Sequence, residues 1–173
     1  IQFSGATPTY DVYRSMDGVW DPNPIATGQT GPTYSDPVAV LTNTSGGTFN
    51  YYVVAIEGPG NIYGISDSAR SNEVVALQNP RVYVPGAFRP KSDDPLVNVF
   101  YPQGNFISEK DYQFIVYNRW GSIVFESGAI YDGWDGTLKS GEAAPQGVYT
   151  YFLQFTTSEG ILYEKRGTVT LIR

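Results

Sequence analysis

The residues of this chain that could do chemistry are carboxylates, amides and aromatic rings, because its 173 residues include no histidine and no cysteine. Without histidine the chain lacks the commonest general base, and a Ser-His-Asp triad cannot be built. Without cysteine it lacks disulfides, thiol nucleophiles and structural zinc sites of the usual type. Three kinds of chemistry remain: acid–base work by paired carboxylates, cation binding by oxygen-rich loops, and recognition by charged or aromatic surfaces.

Two acids stand close together in the sequence, where Asp132 and Asp135 flank Gly133-Trp134. Two carboxylates could act as acid and base on a sugar, and the rings of Trp134 and Trp120 could stack against it. Aspartates in turns more often accept hydrogen bonds from local backbone N–H groups. Tryptophans more often pack in the core or at the rim of a small β domain. We therefore predict turn and packing roles here, and we expect that the chain is not an enzyme.

One loop carries oxygen atoms of the kind that calcium prefers, with Asp93, Asp94 and Asn98 close together in the sequence. Lys91 brings a positive charge into the same loop, which disfavours a cation. A solvated turn is the simpler interpretation. We expect no cofactor, with calcium at these three residues as the alternative.

The elements that must position these residues are short strands. The chain is 15% aromatic and contains 19 glycines and 12 prolines, and no stretch has a sustained apolar period of 3.6 residues. This pattern predicts an all-β protein with almost no helix. We expect two domains, residues 1–79 and 80–173, that meet at Asn79/Pro80. The main predicted strands are Thr9–Ser15, Phe49–Glu57, Asn72–Leu77, Val82–Val84, Tyr112–Tyr117, Ile123–Glu126, Val148–Thr156 and Leu162–Ile172.

The charge of the chain excludes some partners. The net charge is −6; residues 1–79 hold seven acids and two bases, which gives −5, and residues 80–173 hold ten acids and nine bases, which gives −1. Neither half offers the basic face that nucleic acid needs, and an acidic chain is not attracted to an anionic membrane surface. The apolar runs are too short to form a transmembrane segment. Because the sequence starts at Ile1 rather than Met, we expect any export signal to lie upstream.

The first half resembles a fibronectin type III domain. The resemblance rests on Tyr10–Ser15 as the third strand, on Tyr51-x-Val53-x-Ala55 as the penultimate strand, and on Ser71-Asn72-Glu73-Val74 as the last. It implies a β-sandwich in which Tyr51 is the corner tyrosine. Since the region is shorter than a full sandwich, we expect the first strand to be missing and Ile1–Ser4 to be a remnant of the second.

The second half contains five sequence phrases in a fixed order. They are Val82-Tyr83-Val84-Pro85-x-Ala87-Phe88-x-Pro90, Tyr117-Asn118-Arg119-Trp120-Gly121, Gly133-Trp134-Asp135-Gly136, Pro145-Gln146-Gly147-Val148-Tyr149-x-Tyr151 and Lys165-Arg166-Gly167-Thr168-Val169-Thr170-Leu171-Ile172-Arg173. Together they resemble the gliding-motility-associated C-terminal domain, also called the type B sorting domain of type IX secretion. The loop at Lys91–Phe100 departs from the family, because its usual turn glycines are absent.

This resemblance implies a second, immunoglobulin-like β-sandwich that acts as a C-terminal sorting and secretion signal. Such a signal directs an exported cargo through the periplasm and across the outer membrane to the cell surface or the medium. The implied partners are the outer-membrane type IX translocon and its attachment machinery, and we expect a monomer in isolation. The alternative is a structural or adhesive surface module that binds glycans or protein ligands.

Two segments are candidates for partner recognition. One is the last strand, where free backbone donors and acceptors could add to a partner sheet; its charges could equally protect an edge strand. The other is the hairpin turn, although Arg119 could instead bridge carbonyls at the hairpin end. The candidate residues are Lys165, Arg166, Gly167, Thr168, Val169, Thr170, Leu171, Ile172 and Arg173 in the strand, and Asn118, Arg119, Trp120 and Gly121 in the turn. The residues given a structural role by the family motifs are Gly133, Trp134, Asp135, Gly136, Pro145, Gly147 and Tyr149.

Overall fold

The computed structural model describes residues 7–41, 44–60, 64 and 66–173, and in this part of the chain it confirms the all-β prediction. A 3₁₀ turn at Val38–Leu41 is the one helical element described. None of the described helical segments is long and apolar enough to cross a membrane. The strands are β1 Thr9–Met16, β2 Val19–Trp20, β3 Ala26–Gln29, β4 Thr48–Ile56, β5 Ser68–Arg70, β6 Val74–Leu77, β7 Arg81–Tyr83, β8 Ala87–Phe88, β9 Gln103–Asn105, β10 Gln113–Tyr117, β11 Ile123–Ser127, β12 Gly147–Thr156 and β13 Leu162–Leu171.

The chain divides into two compact units, and each is described by itself. The first falls within Ile1–Leu41 and Gly47–Gln78, and the second within Thr42–Gly46 and Asn79–Arg173. The change at Gln78/Asn79 lies one residue from the predicted boundary. The described residues 44–46 group with the second unit. The predicted strand remnant at Ile1–Ser4 lies outside the described residues.

In the first unit, β1 and β4 form the centre of a six-stranded sheet. They pair antiparallel over their full length, from Thr9↔Ile56 to Met16↔Phe49. β2 and β3 pair with β1, and β5 and β6 pair with β4. Tyr51 and Val53 of β4 lie opposite Arg14 and Val12, which belong to a single face of β1.

A small ionic network joins the loops after β2 and β3 to this sheet. The Arg14 guanidinium donates to Asp21 Oδ2 at 2.9 Å and to Asp36 Oδ2 at 3.1 Å. The Tyr51 hydroxyl donates to the same Asp36 oxygen at 2.8 Å. Burial, and then this hydrogen bond, raise the pKa of Tyr51. Tyr51 therefore differs from the predicted corner tyrosine, whose hydroxyl bonds a backbone group; here it bonds a carboxylate that also holds Arg14.

The opposite face of the first sheet carries stacked aromatic rings. Tyr13 and Tyr52 lie on neighbouring strands with their ring centroids 4.6 Å apart and nearly parallel. The Arg70 guanidinium lies 3.8 Å from the Tyr52 ring centroid, and the Trp20 ring is tilted against Tyr52 at 4.9 Å. These cross-strand contacts stabilise the sheet on the side away from the ionic network.

The second unit is built on a five-stranded sheet in the order β11-β10-β12-β13-β8. β12 and β13 pair along all ten residues, from Gly147↔Leu171 to Thr156↔Leu162, without a register shift. β8 joins the other side of β13 in parallel, at Thr170 and Leu171 alone. β7 and β9 form a separate two-stranded sheet.

The core of the second unit follows from alternation along β12. Its inward residues are buried, while Val148 and Thr150 between them are exposed. Aromatic rings fill the layer beneath: Phe100 lies 5.7 Å from Tyr151 and 5.4 Å from Phe114, centroid to centroid. Aromatic side chains bury more area than any others, so a small β domain without disulfides can still form a core from them. The buried cluster comprises Phe88, Phe100, Ile107, Tyr112, Phe114, Val116, Val124, Ile130, Trp134, Ala144, Tyr149, Tyr151, Leu153, Phe155, Val169 and Leu171.

One buried polar atom in this core has no hydrogen-bond partner among the described residues: the Tyr112 hydroxyl. The side chain is only 6% exposed. Burial, with a smaller contribution from the Asp132 carboxylate, raises the pKa of Tyr112. This unpaired hydroxyl therefore lowers the free energy of unfolding.

The two tryptophans of the second unit occupy opposite environments, which gives a direct test of the core. Trp134 is 1% exposed and Trp120 is 73% exposed. Trp134→Ala should lower the free energy of unfolding by about 3–5 kcal/mol, because it leaves a cavity. Trp120→Ala should change it by less than about 0.5 kcal/mol. Urea unfolding of the whole chain, followed by circular dichroism, measures both, and equal losses would contradict this assignment of the core.

Replacing Tyr112 by Phe should stabilise the protein by about 1 kcal/mol, because it removes an unsatisfied buried hydroxyl. An unfolded tyrosine ionises near pH 10, whereas folded Tyr112 stays protonated, so its folded state loses stability as the pH rises above about 10. The Phe variant should lose less stability there. Tyr149→Phe is the control: its hydroxyl donates to the Pro145 carbonyl at 2.7 Å, so this change should destabilise by about 1 kcal/mol. Thermal melts from pH 7 to 11 distinguish the two.

Candidate functional site

Four of the five sequence phrases of the second half meet at one end of the second unit. Trp134 is at the centre: its ring lies 5.2 Å from Phe88 and 4.7 Å from Tyr149, centroid to centroid. Its backbone pairs with Phe100 through hydrogen bonds of 2.8 and 2.9 Å, and its indole N–H donates to the Thr137 carbonyl at 2.7 Å. These motif residues therefore serve to build the fold.

Two glycines beside Trp134 are required by close packing. A Cβ at Gly133 would lie 2.6 Å from Val99 Cγ1, and a Cβ at Gly136 would lie 2.5 Å from Pro90 Cγ. Gly136 also has a φ of 81°, which side-chain-bearing residues rarely adopt. Asp135 accepts hydrogen bonds from the Thr137 N–H at 2.9 Å and from the Thr137 hydroxyl at 2.6 Å. Its carboxylate is thus used to hold the turn.

The last residues of β13 are part of the core, contrary to the prediction of a terminal strand with free backbone groups. Val169 and Leu171 are fully buried. The Thr170 N–H donates to the Gly86 carbonyl at 2.9 Å, and the Ile172 N–H donates to the Phe88 carbonyl at 3.0 Å. The prediction was wrong for these residues because β8, which precedes them by 83 residues, covers this end of the strand.

Arg173 fastens the end of the same strand. Its Nη2 donates to the Ala144 carbonyl at 2.6 Å and to the Gly136 carbonyl at 3.3 Å, and its Nε donates to Ala144 at 3.1 Å. A guanidinium suits this task because its planar donors can reach two carbonyls from one position. The last motif phrase is therefore joined to the glycine-rich one.

The fifth phrase forms the tip of the β10–β11 hairpin and lies outside the core. The Asn118 side-chain oxygen accepts hydrogen bonds from the N–H groups of Trp120 and Ser122, both at 3.0 Å. Gly121 adopts a φ of 80°, as the predicted turn requires. This turn holds the Trp120 side chain out in solvent. The prediction that Trp120 packs in the core or at its rim was wrong.

One interpretation of the sequence was that Arg119 bridges carbonyls at the hairpin end, but no carbonyl in the described part of the chain accepts a hydrogen bond from it. Its guanidinium lies over the Trp120 ring, 4.2 Å from the centroid. This cation–π contact limits the rotation of an otherwise exposed indole. The pair is therefore a preordered aromatic and cationic group at the surface.

Further apolar side chains are exposed at the same end of the sheet. The hairpin tip follows Tyr117, whose partner on β12 is Thr150, so it lies towards the start of β12 and the end of β13. Ile123 is 39% exposed, Val148 is 59% and Ile172 is 42%. Ile123 and Val148 did not stand out in the sequence, since single apolar residues in alternating strands are ordinary. We call Trp120, Ile123, Val148 and Ile172 the apical surface.

The two basic residues near the middle of β13 point to opposite faces. Lys165 lies on the inner face, and its Nζ donates to the Val82 carbonyl at 3.3 Å. Arg166 lies on the outer face, with its guanidinium 5.0 Å from the centroid of the Phe152 ring. Gly167 has no room for a side chain, because a Cβ would lie 2.6 Å from the Tyr151 hydroxyl oxygen. Thr168 is exposed on the outer face.

The calcium candidates do not form a carboxylate cluster. Among the described residues, no three acidic, histidine or cysteine side chains are grouped as metal ligands would be. Asp93 and Asp94 are exposed. The Asp94 carboxylate accepts a hydrogen bond from the Leu96 N–H at 2.9 Å, as in a solvated turn. Asn98 is half-buried in the same loop.

Comparison with protein families agrees with this arrangement. Residues 82–171 match the family model of the CHU_C type IX secretion signal domain, a range that contains the five-stranded sheet, the buried tryptophan and the hairpin tip. No curated protein matches the chain. A type IX secretion signal sorts the protein that carries it for export across the outer membrane, to the cell surface or the medium. The chain belongs to the CHU_C type IX secretion signal domain family.

Proposed function

We propose that the outer-membrane translocon and attachment machinery capture the second unit from the periplasm as a folded, monomeric, non-catalytic module. We further propose that the apical surface is the site where they dock. One observation carries this proposal: Trp120 is 73% exposed, yet it is fixed by the Asn118 turn and by Arg119. Tryptophan and arginine are the residues that most often dominate binding energy at protein interfaces.

The folded state is a requirement of this proposal because the end of the chain is built into the sheet. Deletion of Lys165–Arg173 would remove most of β13, expose the core around Leu171, and break the contacts of Arg173. Loss of export after such a deletion would therefore not identify a recognised sequence. Single changes of exposed side chains are the appropriate test.

For the first unit we propose a fibronectin type III-like module that serves as a spacer or adhesive domain. Its support is the pairing of β1 and β6 with β4, which is how the third, penultimate and last strands meet in such sandwiches. A specific feature favours adhesion: Trp20 remains 36% exposed beside Tyr52. A glycan array probed with the whole chain and with Trp20→Ala should show binding that the variant loses; equal binding by both would argue for a spacer.

Secretion of a reporter tests the docking proposal. The whole chain is fused behind a reporter that carries an inner-membrane export signal, in a bacterium with type IX secretion. The wild-type fusion should reach the medium or surface. Trp120→Ala should reduce secretion roughly tenfold or more, as expected for an interface hot spot. Leu96→Ala, which changes a side chain that is 67% exposed on another loop, is the matched control.

Two results would count against the proposal. A wild-type reporter that stays in the periplasm would refute capture by the machinery. Normal secretion of Trp120→Ala, with unchanged stability, would remove the apical surface as the docking point while leaving the sorting role of the domain in place.

A further inference from the structure

One side of β13 has an open stretch of backbone. On one flank β12 pairs with all ten residues. On the other flank β8 pairs with Thr170 and Leu171 alone, and the chain before β8 leaves this edge to pair with β9. In the described residues, therefore, no strand lies beside residues 162–168 on that flank. We call this stretch the open edge.

The register shows which backbone groups face outward. The N–H groups of Thr170 and Ile172 donate to carbonyls of Gly86 and Phe88, on the flank away from β12. Backbone groups alternate between flanks along a strand, and the β12–β13 register has no shift. Residues an even number of positions from Thr170 therefore also point their N–H and C=O groups away from β12. Within the open edge these residues are Leu162, Glu164, Arg166 and Thr168.

The side chains of these four residues form an ordered row on the exposed face. Leu162 is 53% exposed, and Glu164, Arg166 and Thr168 are also exposed. The Arg166 guanidinium lies over Phe152 of β12, on the exposed face of the sheet. Lys165, the other cation of this stretch, is tied to the Val82 carbonyl on the inner face. Neither cation is therefore placed over the outward hydrogen-bonding groups, where charges usually block an edge strand.

We propose that the open edge accepts an extended strand from a protein of the secretion machinery, which extends the five-stranded sheet by β-strand addition. This inference rests on the proposed function and adds a second contact, separate from the apical surface. Backbone hydrogen bonds supply affinity in this mode, and alternate side chains supply specificity. The exposed row is acidic at Glu164 and basic at Arg166, so the added strand carries a basic and an acidic residue two positions apart.

A single strand fits this edge better than a second copy of the domain. The Lys165–Val82 contact places β7, which belongs to the separate two-stranded sheet, on the inner-face side of β13, and Tyr83 of β7 is 63% exposed. Two copies joined at their edges would have to bring these layers together, whereas a lone strand occupies only the edge of the sheet.

Amide hydrogen exchange on the purified whole chain tests the edge itself. The N–H groups of Glu164 and Arg166 should exchange at least roughly tenfold faster than those of Lys165 and Gly167, which face β12. The size of the protein is measured in the same sample. Equal protection of the two sets, or a dimer that protects Glu164 and Arg166, would overturn the proposal.

Secretion of the reporter fusion tests the added strand. Exchanging the two charges, with Glu164→Arg and Arg166→Glu together, should reduce secretion roughly tenfold without a change in net charge or fold. The matched control exchanges two exposed loop charges, Lys139→Glu with Glu142→Lys. Arg166→Pro, which removes an outward N–H, should also reduce secretion roughly tenfold relative to Arg166→Thr.

The outcomes separate this inference from the proposed function. Failure of the wild-type fusion to leave the periplasm would refute both. Secretion of the wild type together with normal secretion of the charge exchange and of Arg166→Pro would refute strand addition alone. A thermal melt of each variant establishes that it is folded before its secretion is compared.

Discussion

The ten-residue antiparallel pairing of β12 with β13 is the constraint on which the second unit depends. Because the register does not shift, every second residue of both strands faces the same aromatic layer. This pairing places Tyr151 and Leu153 against Phe100 and Phe114. It also leads the chain to Arg173, whose guanidinium reaches the carbonyls beside the buried Trp134. Core, turn and tail therefore form one cooperative structure.

This dependence has a consequence for a secretion signal. A signal read as a flexible tail could be moved or shortened freely, whereas the end of this chain belongs to the sheet. Its buried residues, Val169 and Leu171, are unavailable to a partner. The apical surface at one end of the sheet and the open edge along the first part of β13 remain accessible. Under the proposed function, stability and recognition therefore fall to different residues of the same motifs.

The two units are stabilised by different interactions. The second unit buries a cluster of aromatic rings in one layer. The first unit fastens a long loop to one face of its sheet through Arg14 and Asp36 and stacks Tyr13 on Tyr52 across the other face. Neither unit contains a disulfide, since the chain has no cysteine. Aromatic packing and partly buried ion pairs therefore stabilise these units, whereas many small exported domains are stabilised by disulfides.

The sequence by itself determined the longer strands and the family. Period-two alternation predicts which face of a strand is buried, because side chains of a strand alternate; β12 follows this pattern, with Tyr149, Tyr151 and Leu153 buried. Five ordered phrases were enough to identify the secretion signal domain. Trp134 and Trp120, however, looked alike in sequence, since both stand beside glycine in a turn. Tertiary structure decided that one is core and the other exposed. It also decided that β8 covers Thr170 but leaves Arg166 open, because pairing between segments some 80 residues apart depends on how the whole chain folds and not on local pattern.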